Sequence, residues 1–126
     1  MIFVDTNVFM YAVGRPHPLR QQAQTFFVEA IADERPLATS AEVLQELVHA
    51  YLPVGRLATL DAALELAGSL ATIWPLESAD VQLARSLIAR HPGLGARDLV
   101  HLSCCHRNRA TGLMTFDRAL AAAYSP

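Results

Sequence analysis

The chain has 126 residues, a formal net charge of −2 and an apolar fraction of 52%. This length suits a single domain over residues 1–126, and the composition is typical of a folded protein rather than a disordered one. The net charge gives no general attraction to nucleic acid, so such binding would require a local patch or metal ions. Every basic residue is arginine. The lack of lysine excludes a P-loop ATPase and argues against receiver domains and aspartyl-phosphate phosphatases.

Cysteine usage and hydropathy indicate the cellular compartment. Cys104 and Cys105 are adjacent, which suits neither a C-x-x-C metal site nor a disulfide framework. Free thiols fit a reducing cytoplasm. The N-terminus lacks the features of a signal peptide, and no apolar run approaches the ~20 residues of a membrane span. We therefore expect a cytoplasmic protein with no membrane association.

The chain begins with an apolar run, Ile2-Phe3-Val4, that predicts a strand buried on both faces. Asp5 lies at its carboxyl end, where open α/β sheets place their ligand crevice. A short helix should follow over 8–13, with Thr6 or Asn7 available as its cap. On a purely structural interpretation, Asp5-Thr6-Asn7 is only a strand-to-helix turn.

The rest of the chain alternates helices and strands. Helices are predicted over 19–33, 42–51, 57–70, from Ser78 or Asp80 to about Arg90, over 97–109 and after Asp117; strands are predicted over 37–39, 73–76 and 111–116. Ser40 is a suitable cap for the helix over 42–51, which can pair with the next helix as a hairpin. Pro75 favours an edge position for the third strand. This order predicts an α/β fold with a parallel sheet of four to five strands covered on both faces.

Asp5 and Asp117 occupy equivalent positions at the carboxyl ends of two predicted strands. If these strands are neighbours in a parallel sheet, both side chains reach the same edge. Asp117 can also act simply as the N-cap of the closing helix.

Two further acidic positions lie on helices. Glu46 borders the apolar residues Leu44, Leu47 and Val48, where a carboxylate is costly unless paired or metal-bound. Glu42, one helical turn earlier, is the alternative for this role, although a solvated surface position suits it better. Asp98 begins the helix over 97–109, where the helix dipole alone would favour an acidic residue.

Four carboxylates that converge at one sheet edge repel one another unless their pKa values rise or a cation neutralises them. Mg²⁺ and Mn²⁺ are the natural occupants of an all-oxygen site. Such a site suits phosphodiester hydrolysis, because a metal polarises the phosphate and activates water.

The ordered set of motifs resembles the PIN-domain ribonucleases, and within them the VapC-type toxins of bacterial type II toxin–antitoxin pairs. The resemblance covers essentially the whole chain. It rests on Val4-Asp5-Thr6-Asn7, Ser40 with Val43-Leu44-Gln45-Glu46-Leu47, Ala96-Arg97-Asp98-Leu99-Val100-His101-Leu102, and Thr115-Phe116-Asp117.

This resemblance implies a three-layer α/β/α sandwich, Rossmann-like in its winding, and Mg²⁺- or Mn²⁺-dependent cleavage of RNA, with tRNA or rRNA as the expected substrate. It maps the four catalytic and metal-binding acidic positions onto Asp5, Glu46, Asp98 and Asp117. Thr115 maps to the assisting polar residue, and Thr6 and Asn7 also lie at the site. It further implies a homodimer that a cognate VapB antitoxin neutralises in a heterotetramer or hetero-octamer.

Several interpretations remain open at this stage. Glu46 is expected either to reach the metal through water or to orient the attacking water. Arg97 and Arg118 are candidates for RNA phosphate contacts, or else ordinary surface arginines. His101 can hydrogen-bond Asp98, but a structural histidine is the simpler expectation. Rival functions are a structure-specific DNA nuclease, a phosphatase-like enzyme, or a non-enzymatic module whose acidic groove binds a basic peptide.

Overall fold

The computed structural model describes all residues from Met1 to Pro126. Four strands form one sheet in the order β3-β2-β1-β4, and every neighbouring pair is parallel. Their bounds are β1 Ile2–Val4, β2 Leu37–Ser40, β3 Ala71–Trp74 and β4 Gly112–Met114. The predicted parallel α/β sheet is confirmed, with four strands.

Seven helices connect and cover the strands. They are α1 Thr6–Val13, α2 Arg20–Ala32, α3 Ala41–Tyr51, α4 Leu57–Leu70, α5 Ser78–Leu87, α6 Ala96–Arg107 and α7 Arg118–Ala123. The larger apolar cluster joins the sheet to α1, α2, α3 and α4, and a smaller one lies among α5, α6 and α7. The architecture is therefore a three-layer α/β/α sandwich. No helix is both long and apolar enough to cross a membrane.

Strand β1 pairs with a neighbouring strand on each side. Ile2 of β1 is in register with Leu37 of β2 on one side and with Gly112 of β4 on the other. Phe3 and Val4 are fully buried, as a continuous apolar run in a parallel sheet requires. The first and last strands of the chain therefore lie side by side, and their carboxyl ends meet.

Several element bounds differ from the sequence-based expectations. Strand β4 ends at Met114, so Asp117 lies three residues beyond the strand rather than directly after it, and α5 ends at Leu87 rather than near Arg90. Helix α1 begins at Thr6, two residues earlier than predicted, and its cap is Asp5 rather than Thr6 or Asn7. Asp5 has the extended backbone of a cap residue, and its Oδ1 accepts a hydrogen bond from the Thr6 N–H. Strand β3 begins at Ala71 and ends before Pro75, because a proline cannot donate to the ladder. Its predicted edge position is confirmed.

The cap of α3 follows the prediction. The Ser40 hydroxyl accepts a hydrogen bond from the Val43 N–H at 3.2 Å. Helices α3 and α4 pack against each other as the expected hairpin. Since β2 leads directly into α3, this cap fixes where α3 starts and hence which turn of the helix carries Glu46.

Candidate functional site

Asp5 is held at the carboxyl end of β1 by donors on both of its oxygens. Oδ1 accepts from the Thr6 N–H at 2.7 Å, and Oδ2 accepts from the Thr115 hydroxyl at 2.7 Å. The residue is only 5% exposed. Its backbone N–H also donates to the Met114 carbonyl at 3.0 Å, so the pairing with β4 continues to this point. Hydrogen bonds from the protein to both oxygens therefore fix the orientation of the Asp5 carboxylate.

Thr115 connects the β4 side of the site to α1. Its hydroxyl oxygen accepts hydrogen bonds from the Asn7 side-chain amide at 3.2 Å and from the Asp117 N–H at 3.0 Å. The Asn7 side-chain oxygen in turn accepts from the Phe116 N–H at 3.2 Å. This network fixes the turn after β4, and with it the start of the segment that carries Asp117.

Asp117 itself caps α7, since its Oδ1 accepts from the Leu120 N–H at 3.0 Å. The capping role proposed as an alternative is therefore real, and it leaves Oδ2 of the carboxylate without a protein partner in this turn. The same side chain lines a cavity together with Asp5.

Glu46 extends from α3 toward the same place. Its Oε2 accepts a hydrogen bond from the Thr6 hydroxyl, and its Oε1 lies 2.9 Å from Nε2 of His101. Burial acts to raise the pKa of Glu46, but the hydrogen bonds from His101 and Thr6 outweigh it and lower the pKa below its ordinary value. Glu46 therefore stays ionised at neutral pH.

His101 is the residue at this site that the sequence analysis undervalued. It is 1% exposed and lies between two carboxylates, bonded to Glu46 and 3.6 Å from Oδ1 of Asp5. The bond to Asp98 that the sequence left possible is not formed, because Nε2 is bonded to Glu46. Burial acts to lower the pKa of His101, but its hydrogen bond to Glu46 and the charge of Asp5 raise it overall. In the sequence, the feature that could have indicated a role for His101 at the site is its position one turn after Asp98, on a helix that packs against the sheet.

Asp98 lies in the first turn of α6 and is half-buried. Burial and the nearby charges of Asp117 and Asp5 raise its pKa above the ordinary value. This shift is the expected signature of carboxylates that crowd one another. The structure thus brings the four predicted acidic residues to the carboxyl edge of the sheet.

These side chains surround a cavity of about 300 Å³. Its lining includes Asp5, Thr6, Asn7, Glu46, Asp98 and Asp117, together with Arg97 and His49. His49 was not singled out from the sequence, although it lies one helical turn after Glu46. Arg118 is exposed and does not line the cavity, and neither does Glu42. Geometry therefore favours Glu46 over Glu42 and Arg97 over Arg118.

The donor set suits a hard divalent cation. A carboxylate oxygen of Asp5 and one of Glu46 lie within 4.8 Å of each other, and Asp98 and Asp117 line the same cavity. Nε2 of His101 belongs to the same cluster, but its hydrogen bond to Glu46 already occupies it. A cation here would offset the repulsion that raises the pKa of Asp98. Carboxylate-rich sites of this kind fit Mg²⁺ or Mn²⁺.

A second depression, on the surface of α1, α2 and α4, is apolar. It has a volume of about 640 Å³, and eight of its eleven lining residues are hydrophobic. Val28 and Ile31 in its lining are 64% and 59% exposed. We call it the apolar groove; its lining also includes Ala12, Val13, Phe27, Leu66 and Leu70.

Comparison with solved structures places the fold in a known class. The VapC20 toxin of Mycobacterium tuberculosis, described as cleaving the sarcin–ricin loop, superposes with a TM-score of 0.78, covering 98% of this chain and 95% of that one at 20% identity. VapBC2 from Rickettsia felis, solved bound to a fragment of promoter DNA, gives a TM-score of 0.71 over 93% of this chain and 88% of that one, also at 20% identity. The fold is that of the VapC toxins.

Sequence comparison is more specific. The PIN-domain family model matches residues 2–125. The ribonuclease VapC23 of Mycobacterium tuberculosis is 60% identical over 124 residues, which cover 98% of each chain. The chain belongs to the PIN-domain family and, within it, to the VapC ribonucleases.

Proposed function

We propose that this protein is a divalent-metal-dependent endoribonuclease toxin that hydrolyses phosphodiester bonds in tRNA or rRNA. The observation that carries the proposal is the convergence of Asp5, Glu46, Asp98 and Asp117 around one cavity, with Asp5 fixed by Thr6 and Thr115. The names of its relatives, ribonucleases and a toxin that cleaves an RNA loop, support an RNA substrate.

Asp5, Asp98 and Asp117 would hold the Mg²⁺ or Mn²⁺ ion directly, and Glu46, which lines the same cavity, would reach it through a bound water. When bound, the ion would polarise the phosphate, assist deprotonation of water and stabilise the leaving oxygen. Glu46 is ionised and oriented by two donors, so it can accept a hydrogen bond from the attacking water. Arg97 adds a positive charge to the acidic cavity and can pair with an RNA phosphate.

The decisive experiment compares cleavage of purified tRNA and rRNA by wild-type protein with Mg²⁺, with Mn²⁺ and with EDTA. Discrete fragments should appear with either metal and disappear with EDTA. Asp5→Asn should retain the circular dichroism spectrum and lose cleavage. Asp61→Asn is the matched control, because Asp61 is exposed on α4 and outside the cavity.

Undiminished cleavage by Asp5→Asn would refute the site assignment. Intact RNA in every wild-type lane, from folded and partner-free protein, would favour the acidic-groove peptide-binding module. Cleavage of single-stranded or flap DNA in preference to RNA would favour the DNA-nuclease alternative, and hydrolysis of phosphomonoesters alone would favour the phosphatase-like one.

A VapB-type antitoxin is the proposed partner. Solved structures that share this fold include a VapBC pair and a toxin–antitoxin complex, and the apolar groove is a mainly hydrophobic depression in which Val28 and Ile31 are exposed. Ile31→Glu should leave the melting temperature of the free protein unchanged, since Ile31 is mostly exposed, and should weaken co-purification with the antitoxin. Glu29→Gln on the solvated part of α2 is the control; equal binding by the Ile31→Glu variant would remove the groove from the interface.

We also propose a homodimer. Leu52, Val54 and Leu57 around the α3–α4 connection are 59%, 65% and 52% exposed, and such a patch is typical of a contact surface. Light scattering should report twice the 13.7 kDa of one chain, and Val54→Asp should shift the mass toward the monomer. A monomeric wild-type protein would contradict this assembly.

A further inference from the structure

Both oxygens of the Glu46 carboxylate are engaged by protein donors from other elements. Thr6, at the start of α1, donates its hydroxyl to Oε2, and His101, on α6, lies 2.9 Å from Oε1 through Nε2. Glu46 itself belongs to α3. Three helices therefore meet on one carboxylate at the edge of the cavity.

His101 can serve only a narrow set of partners. Its side chain is 1% exposed, so it cannot turn to water, and its ring lies 5.7 Å from that of Phe3, centroid to centroid. The separation of 3.6 Å from Asp5 is too long for a good hydrogen bond. Nδ1 is buried and has no hydrogen-bond partner. The only side-chain hydrogen bond that His101 makes is thus directed through Nε2 to Glu46.

We propose that His101 is a positioning residue that, together with Thr6, fixes the orientation of Glu46; this inference rests on the proposed ribonuclease function. A carboxylate oxygen has two lone pairs. Because each donor occupies one, each oxygen of Glu46 keeps one for the cavity. Glu46 thereby presents a fixed acceptor to the attacking water instead of rotating between alternative positions.

If His101 only filled space in the core, its replacement would have a different effect. In that case His101 would matter for the packing of α6 against Phe3, and its replacement would harm the protein equally whether or not Glu46 is present. A double-mutant cycle separates the two roles, because a residue that acts through Glu46 has no effect once Glu46 is gone.

The cycle uses His101→Leu, Glu46→Gln and the double variant, with RNA cleavage measured at saturating Mg²⁺. We expect His101→Leu to lower kcat by about 10- to 100-fold, as loss of an outer hydrogen bond to a metal-site residue typically does, with little change in KM. Adding His101→Leu to Glu46→Gln should change kcat by less than about twofold. His101→Gln, which restores an N–H donor, should recover part of the loss.

Ser103→Ala is the control for general damage to α6. Ser103 is fully buried on the same helix, and its hydroxyl donates to the Leu99 carbonyl, away from the cavity. It should lower stability slightly and leave kcat unchanged. Circular dichroism and thermal melts of all variants show that each is folded.

The Mn²⁺ affinity of the wild type and of the three variants in the cycle is also measured, by electron paramagnetic resonance. If the wild type cleaves RNA but the two losses multiply in kcat, the positioning role is overturned and the ribonuclease proposal stands. If the wild type cleaves nothing, the ribonuclease proposal fails. The Mn²⁺ titrations then decide: weaker binding by His101→Leu only when Glu46 is present supports the positioning role, and any other pattern overturns it.

Discussion

Replacing Thr115 by valine removes one hydroxyl group and largely keeps the shape of the side chain. That hydroxyl donates to Asp5 at 2.7 Å and accepts from Asn7 at 3.2 Å and from the Asp117 N–H at 3.0 Å. The substitution thus releases one oxygen of Asp5 and leaves two donors without their acceptor, while the elements around them stay in place.

The magnitude follows from the kind of bond that is lost. A hydrogen bond to a charged group contributes about 1.5–3 kcal/mol. If Asp5 needs this orientation in the transition state, the same free energy is added to the barrier, and about 1.4 kcal/mol corresponds to tenfold in rate. We therefore expect Thr115→Val to lower kcat by about 10- to 100-fold. Loss of stability should be smaller, about 1 kcal/mol or about 4 °C in Tm, because Thr115 is only half-buried.

The assay is the initial rate of RNA cleavage at saturating Mg²⁺, with Tm measured on the same samples. Thr115→Ser is the matched control, since it keeps the hydroxyl and loses only a methyl group; it should stay close to the wild-type rate. A Thr115→Val protein that cleaves at the wild-type rate would refute the idea that this hydroxyl orients Asp5. Equal losses in both variants would assign the effect to the methyl group instead.

Burial and neighbouring carboxylates raise the pKa of Asp98, so the folded protein binds the Asp98 proton more tightly than the unfolded chain. In EDTA, the free energy of unfolding should therefore fall as pH rises from the pKa of Asp98 in the unfolded chain to its pKa in the folded protein. Asp98→Asn should therefore raise the Tm in EDTA at neutral pH, and Mg²⁺ should raise the Tm of the wild-type protein under the same conditions. Equal Tm values for wild type and variant in EDTA would contradict the repulsion between Asp98 and its neighbouring carboxylates. Leu47 is fully buried in α3 beneath the site, so Leu47→Ala should cost about 2–5 kcal/mol in urea unfolding. Cys104 and Cys105 are buried and burial raises the pKa of Cys104 to about 12, so neither thiol should react with a disulfide reagent at mildly alkaline pH until denaturant is added.

Most of the fold follows from local patterns in the sequence. Short apolar runs end on polar residues at Asp5, Ser40 and Asp117, and each of these residues caps a helix in the structure. The alternation of strands and helices then requires a parallel sheet. The exact start of α1 was ambiguous because Asp5, Thr6 and Asn7 are three consecutive residues that all favour caps. Only the side-chain geometry distinguishes Asp5.

The contacts that organise the site were not predictable in the same way. Thr6 and Glu46 are separated by 40 residues, and His101 and Glu46 by 55. A periodic pattern places such residues on a helix face but does not say which side chain of another helix they meet. Similarly, Arg97 directly precedes Asp98 and Arg118 directly follows Asp117, both at helix starts, yet only Arg97 lines the cavity. The orientation of each helix around its own axis decides this difference.

The neighbouring positions of β1 and β4 have a consequence for how the protein acquires activity during synthesis. Asp5 is synthesised 110 residues before its partner Thr115, and Asp117 follows that. A nascent chain that has not yet released β4 from the ribosome lacks the hydroxyl that orients Asp5 and one of the four carboxylates. The four carboxylates are therefore not all present until translation has passed Asp117. The site is complete only once the last strand lies beside the first.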